Sequence, residues 1–221
     1  MTSLKLMKIL ISHHNKLSYG GGGETFLATL ANYLYRRGHD VEVNSLPLFQ
    51  DGYAVNVPPK LEPGVKYAER WLHSSDADVC YAIYTPILPL YLISSCPTVI
   101  GIHSHKLMFG AKGATAIPAL ARAAHRLIGK RVMDHYDAVH VNNRVVYKLV
   151  DHRRKYYIPN PVDSNFFRPT APKSPKFTVM YAGRKDMDKG WDIFLDVRRM
   201  LSGYDVEFLV ADEFSREQLV D

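Results

Sequence analysis

The feature of this sequence with the clearest potential for chemistry is a run of four glycines: Gly20, Gly21, Gly22 and Gly23. Glycine is costly to order, so a folded chain keeps such a run where φ is positive or where another group approaches the backbone closely. The run fits neither named phosphate loop: the sixth position is Thr25 or Phe26 rather than glycine, and no Gly-Lys-Ser/Thr follows. What remains is a set of bare amides at the start of a helix, which favours an anion such as phosphate. A merely flexible loop is the alternative that these residues leave open.

A second set of candidate residues is the pair Arg184 and Lys189, which flank a short acidic turn in the segment YAGRKDMDKGWDIF. The residues before the pair predict a strand, and those after it predict a helix. Ligands of open α/β sheets bind at the carboxyl ends of strands. The two cations therefore suit a diphosphate, although a solvated charged turn accounts for the same residues.

The elements that must position the glycines form a β-α-β unit. Residues 4–12 are nearly all apolar, which favours a strand buried on both faces of a parallel sheet. After the glycines, apolar residues repeat at helical spacing through residues 24–37, and Gly38 gives a stop signal. Residues 40–46 predict the next strand. Glu24, at the start of the helix, complements the helix dipole.

Strands and helices continue to alternate along the chain. We expect helices near residues 65–75, 88–94, 118–134 and 144–152, and strands near residues 78–84, 98–102, 138–141 and 155–158. This alternation predicts an α/β fold with a Rossmann-like, doubly wound parallel sheet, which forms an N-terminal domain of residues 1–167. The proline-rich residues 168–176 predict a linker. Residues 177–221 then read as strand, helix and strand, the first β-α-β unit of an incomplete second Rossmann-like domain.

The composition is that of an ordinary globular protein, with 221 residues, 47% of them hydrophobic and 23% charged. No apolar stretch approaches the length of a membrane span, and the N-terminus lacks a secretory cleavage site, so we expect a cytoplasmic protein. The two cysteines, Cys80 and Cys96, have no metal-ligand spacing and are expected to be buried or half-buried thiols.

The formal net charge of +6 is concentrated between residues 122 and 155. In the expected basic helix, Arg122, Arg126 and Lys130 follow one another at intervals of four residues and share one face. Such a face suits an anionic membrane surface, and a solvated helix face is the equally simple alternative. Nucleic acid is not expected as a partner, because no recognised binding motif accompanies the charge.

Three segments together resemble a known family: GGGGETFLATLANYLYRRGHDVEV, IPNPVDSNFFRP and YAGRKDMDKGWDIFLDV. They are similar to the retaining glycosyltransferases of family 4, which have the two-domain GT-B fold. The resemblance implies a hexosyltransferase that uses a UDP- or GDP-linked sugar as its substrate and needs neither a metal nor another cofactor. It also implies that the glycines lie against the donor diphosphate and the acceptor, and that Arg184 and Lys189 bind the phosphates of the nucleotide sugar.

The same resemblance singles out His103, which follows the predicted strand TVIGI. Family members commonly have a histidine at this place, near the transferred sugar. An imidazole there suits a hydrogen bond donated to a sugar hydroxyl or to the departing phosphate, which is electrostatic stabilisation of the reaction. Without the resemblance, His103 is an ordinary loop histidine. The acceptor implied by relatives is lipid-linked or a glycan, and membrane association would then be peripheral.

The resemblance has one gap. The family completes its donor site with two glutamates in the second domain, and this sequence ends before the corresponding region; Ala211 also stands where a glycine is usual. Three interpretations follow: a glycosyltransferase that is truncated or reduced, one subunit of a split glycosyltransferase whose second chain completes the domain, and a non-catalytic module that binds phosphate or anionic lipid.

Overall fold

The structure is a computed structural model. It describes residues 5–49, 59–70, 76–83, 96–103, 133–162, 164, 167–169, 174–183, 185 and 187–211. The chain divides into two compact units, Met1–Pro161 and Val162–Asp221, and each is described by itself below. The predicted basic helix with Arg122, Arg126 and Lys130 lies outside the described residues, as does Arg184.

The first unit is built on a parallel sheet of seven described strands. In chain order the strands are β1 (Lys8–Asn15), β2 (Asp40–Phe49), β3 (Lys66–Glu69), β4 (Val79–Ile83), β5 (Thr98–Ile102), β6 (Ala138–Val141) and β7 (Lys155–Tyr157). Their spatial order is β3-β2-β1-β4-β5-β6-β7, and each pair of neighbouring strands is parallel. This confirms the prediction of a Rossmann-like, doubly wound sheet, and the order reverses between β1 and β4.

Helix α1 (Gly22–Arg36) connects β1 to β2 and buries one face. Its residues Phe26, Leu27 and Ala31 pack with Val41 and Val43 of β2 in one hydrophobic cluster. The helix ends where Gly38 adopts a φ of 92°, a left-handed conformation that glycine accepts without strain. The apolar spacing in the sequence therefore predicted this helix, which begins two residues earlier than expected because Gly22 and Gly23 belong to its first turn.

Two sequence predictions are corrected by the structure. A helix was expected over residues 65–75, but Lys66–Glu69 form β3, which pairs with Glu42–Ser45 of β2. The hydrogen bonds of an edge strand come from its neighbour, so local helical spacing did not reveal it. Helix α2 (Arg144–Leu149) also ends three residues before its predicted limit of residue 152. Cys80 is buried and Cys96 half-buried, as predicted.

The second unit contains a two-stranded parallel sheet among its described residues. Strand β8 (Phe177–Tyr181) pairs with β9 (Val206–Val210), and helix α3 (Trp191–Met200) connects them. Tyr181, Phe194 and Val210 form its small buried cluster. The predicted strand-helix-strand order of this segment is confirmed.

Candidate functional site

Polar and aromatic side chains gather in the first unit where its central strands end. His13 is near the end of β1, Tyr81 is in β4, His103 follows β5 directly, and His140 is in β6. Because the strands are parallel, their carboxyl ends meet at one edge of the sheet. The reversal of strand order between β1 and β4 makes that edge the place where doubly wound folds bind ligands.

The glycine run forms the entry to α1, and its members have different reasons to be glycine. Gly20 closes a short 3₁₀ turn, Leu17–Tyr19, with a φ of 66°. A Cβ at Gly21 would lie 2.7 Å from Oε2 of Glu24, and one at Gly23 would make an ordinary contact, 3.4 Å from Nε2 of His13. At Gly22, no described atom lies within 4 Å of the position of a Cβ. Within the described structure, Gly22 therefore has no steric reason to lack a side chain.

The run also presents main-chain donors. Thr25 makes the first intrahelical bond of α1, from its N–H to the carbonyl oxygen of Gly21 at 3.0 Å. The N–H groups of Gly22, Gly23 and Glu24 come before it and have no acceptor inside the helix. Together with the positive end of the helix dipole they are suited to an anion or to another hydrogen-bond acceptor.

Glu24 is buried beneath this turn, with only 2% of its surface exposed. Its Oε1 accepts a hydrogen bond of 3.0 Å from the side-chain amide of Asn15 and lies 3.4 Å from Nδ1 of His13. Glu24 is an acidic residue in the first turn of α1, at the positive end of the helix dipole, as the sequence predicted. The carboxylate also offsets part of the positive potential that the helix end offers to an anion.

The two adjacent histidines at the end of β1 are neutral near pH 7. Burial lowers the pKa of His13 to about 4. Burial, and secondarily the neighbouring His13, lowers the pKa of His14 to about 3, against a smaller opposing effect of Glu24. Neither ring therefore contributes positive charge to the glycine turn.

The predicted catalytic residue, His103, is part of a hydrogen-bonded chain. The hydroxyl of Tyr81 lies 2.9 Å from Nε2 of His103 and 2.8 Å from Nδ1 of His140. The Nε2 of His140 lies 2.8 Å from the carbonyl oxygen of Ile158, and Nδ1 of His103 lies 3.4 Å from the side-chain nitrogen of Asn142. Burial lowers the pKa of His103 to about 3, with the nearby His140 as the next cause.

Two further residues shape this chain. A Cβ at Gly101 would lie only 2.0 Å from the hydroxyl of Tyr81 and 2.9 Å from Nε2 of His103, so glycine is what allows the two side chains to meet. Phe26 of α1 packs against His103, with the two ring centroids 4.3 Å apart. The first turns of α1 and the histidine chain therefore share one side of the sheet edge.

In the second unit, Lys189 has the position that the sequence predicts for a ligand-binding cation. It ends a 3₁₀ turn, Met187–Lys189, that lies between the carboxyl end of β8 and the start of α3, and its side chain is exposed. Gly190, with a φ of 75°, is the N-cap residue directly before α3. The role proposed for Lys189 in phosphate binding stays a prediction, like that of Arg184.

Sequence reasoning missed Tyr81, Gly101, His140, Asn142 and the burial of His13. A signal was present, since Tyr81 and His140 are polar residues inside strands that otherwise read as apolar. The sequence could not show that they meet, because they are 59 residues apart and are joined only by the pairing of β4, β5 and β6.

Among the described residues, no group of three or more His, Cys, Asp or Glu is arranged to hold a metal ion. None of the described helices has the length and hydrophobicity to span a bilayer.

The fold is similar to that of solved glycosyltransferases. An alpha-glucosyltransferase in complex with UDP and a 13-mer DNA containing a central A:G mismatch matches with a TM-score of 0.57 and 13% identity, over 92% of this chain and 56% of that chain. An alpha-glucosyltransferase in complex with UDP-glucose and DNA containing an abasic site gives 0.57 and 14%, over 93% and 58%. An alpha-glucosyltransferase in complex with UDP gives 0.54 and 13%, over 87% and 55%.

Neither a protein-family model nor a curated protein sequence matches the chain. The chain spans somewhat more than half the length of the structures that it resembles. At 13–14% identity the likeness shows the fold alone. The chain therefore has a Rossmann-like, glycosyltransferase-like α/β fold.

Proposed function

We propose that this chain is, or forms part of, a glycosyltransferase that moves a hexosyl group from a UDP- or GDP-linked sugar to an acceptor hydroxyl. Retention of configuration, as in family 4, is part of the proposal and rests on the sequence resemblance alone. The observation that carries the proposal is the glycine-opened start of α1 at the reversal of strand order, where Gly22 leaves the backbone uncovered within the described structure. The fold likeness to enzymes solved with UDP and UDP-glucose supports it.

The glycine turn is proposed to bind the departing diphosphate through its main-chain N–H groups. In glycosyl transfer the nucleoside diphosphate leaves with growing negative charge, and preorganised N–H donors stabilise such charge at a low reorganisation cost. Gly20, Gly21, Gly22 and Gly23 let a phosphate approach the amides closely. Arg184 and Lys189 are proposed, on the sequence resemblance alone, to bind the phosphates of the nucleotide sugar.

The acceptor is proposed to be lipid-linked or a glycan. For a lipid-linked acceptor, the predicted basic face of Arg122, Arg126 and Lys130 would bind the anionic surface of the bilayer. Nucleic acid was not expected as a partner, because no recognised binding motif accompanies the basic charge. The similar alpha-glucosyltransferases were, however, solved with DNA, so a DNA duplex belongs in the acceptor screen.

The test is a thermal-shift and calorimetric screen of UDP, GDP, ADP and their sugar conjugates. A ligand at 100 times its dissociation constant should stabilise the folded chain by about 2.7 kcal/mol. The combined change Arg184→Ala and Lys189→Ala should abolish the shift, whereas the control pair Lys148→Ala and Arg153→Ala, which removes two other cations, should leave it intact.

The same screen separates the other two interpretations. A split-enzyme subunit should bind nucleotide sugars only after the completing chain is added. A non-catalytic module should bind anionic vesicles or phosphate and transfer no sugar. A flat response to every nucleotide, with and without a second chain, would contradict the proposed function.

A further inference from the structure

The hydrogen-bonded chain through Tyr81 determines where the protons of two buried histidines lie. The carbonyl oxygen of Ile158 can only accept, so Nε2 of His140, 2.8 Å away, must donate to it. Burial lowers the pKa of His140, so its ring is neutral near pH 7 and carries only that one proton. Its Nδ1 is therefore an acceptor, and the hydroxyl of Tyr81 donates to it at 2.8 Å.

The consequence passes on to His103. A phenol has a single proton, and that of Tyr81 is used by His140. The Tyr81 oxygen and Nε2 of His103 are 2.9 Å apart. In this hydrogen bond the imidazole N–H must be the donor and the Tyr81 oxygen the acceptor. Because His103 is also neutral, with its pKa lowered by burial to about 3, its Nδ1 carries no proton.

We propose that Tyr81 and His140 are positioning residues that hold His103 in the tautomer with its proton on Nε2, so that Nδ1 is a hydrogen-bond acceptor for the amide of Asn142 and for a ligand hydroxyl. The sequence analysis expected His103 to donate a hydrogen bond. In this arrangement the donating nitrogen is already engaged by Tyr81, and the remaining ring nitrogen accepts. The inference concerns the predicted sugar site and rests on the proposed function for its ligand.

The surroundings of Nδ1 indicate the chemical class of that ligand. The side-chain nitrogen of Asn142 lies 3.4 Å from Nδ1 of His103, at the long end of hydrogen bonding, and 3.0 Å from Oδ1 of Asn160. One N–H of Asn142 is donated to Asn160, and the other is directed at Nδ1 of His103 over the longer distance. A hydroxyl that replaces this long contact can donate to Nδ1 and accept the second N–H of Asn142. A phosphate oxygen without a proton cannot donate to Nδ1, and its negative charge is repelled by the lone pair of that nitrogen. The edge therefore selects a neutral hydroxyl, as on a sugar, over an anionic group.

The tautomer assignment can be tested without any ligand. Long-range proton–nitrogen NMR of the uniformly ¹⁵N-labelled chain at pH 7 should show both rings protonated at Nε2, with His103→Gln and His140→Gln providing the assignments. In Tyr81→Phe, His140 should keep its proton on Nε2, because Ile158 still accepts it, while His103 should become a mixture of tautomers. This asymmetry is specific to positioning, since a general loss of packing would disturb both rings.

The control is Tyr204→Phe, which removes the hydroxyl of an exposed tyrosine in the second unit and should leave both rings unchanged. A wild-type His103 protonated at Nδ1, or a Tyr81→Phe variant with His103 unaltered, would overturn the inference. The wild-type measurement stands even if the Tyr81→Phe variant does not fold.

A binding comparison then tests the ligand class. In Tyr81→Phe the ratio of UDP-glucose affinity to UDP affinity should fall by about twofold, because about half of the His103 rings in an even mixture have the accepting Nδ1, and an unchanged ratio would contradict selection of a hydroxyl. If neither ligand binds the wild type, the proposed function fails while the NMR result still decides the tautomer.

Discussion

The substitution Gly22→Ala separates the stability of the fold from the proposed binding of phosphate. Gly22 is exposed in the first turn of α1, and no described atom lies within 4 Å of the position of an added Cβ. Alanine is favoured over glycine in a helix by about 0.5–1 kcal/mol, and the terminal position places the expected gain at about 0.5 kcal/mol. For a chain of this size, that corresponds to a rise in melting temperature of about 1–2 °C.

The effect on binding should have the opposite sign. If a phosphate approaches the main chain at this turn, the new methyl group occupies the space that its oxygens need. We expect the affinity for UDP, measured by calorimetry, to fall at least about tenfold, which corresponds to about 1.4 kcal/mol. General damage to the fold would lower stability and affinity together, so it cannot explain a variant that is more stable but binds UDP less well.

The matched control is Gly203→Ala, in the turn that follows α3. Gly203 also has open space at the position of its Cβ among the described residues. It should show a similar or smaller change in stability and unaltered affinity. A Gly22→Ala chain that keeps the wild-type affinity for UDP would refute the assignment of the glycine turn to phosphate.

Three other perturbations have expected outcomes. Gly101→Ala should lower the free energy of unfolding in urea by about 1–3 kcal/mol, because its Cβ would overlap Tyr81; a loss below about 0.5 kcal/mol would contradict the packing. Gly21→Ala should destabilise the chain where Gly22→Ala does not, because its Cβ would lie 2.7 Å from Oε2 of Glu24, and thermal melts of the two variants compare them directly. Acid should destabilise the fold through His13: burial lowers its folded pKa to about 4 from the ordinary 6.5, so the unfolded chain binds the proton first. This contribution is complete well above pH 6.5 and falls by roughly 2 kcal/mol at pH 5. His13→Gln should remove this part of the pH dependence of urea-measured stability and leave the parts due to His14 and His103, whose pKa values burial also lowers.

The fold was largely predictable because its signals are local. The run before the glycines, the apolar spacing of α1 and the glycine at residue 38 each report on a few neighbouring residues, and together they predicted the first β-α-β unit. Strand β3 escaped prediction because its partner, β2, supplies its hydrogen bonds from more than twenty residues away along the chain.

The candidate site was predictable only in part. The sequence by itself determined that Gly20 to Gly23 open a helix directly after a buried strand, and the family resemblance drew attention to His103 at the end of β5. Only the tertiary structure decided what these residues can do. It buried Glu24 beneath the glycine turn, distinguished Gly22 from its neighbours by the space around it, and brought Tyr81 across Gly101 to His103 and His140. The direction of a hydrogen bond depends on every donor and acceptor in its chain, and parallel strand pairing assembles that chain from segments that are distant in sequence.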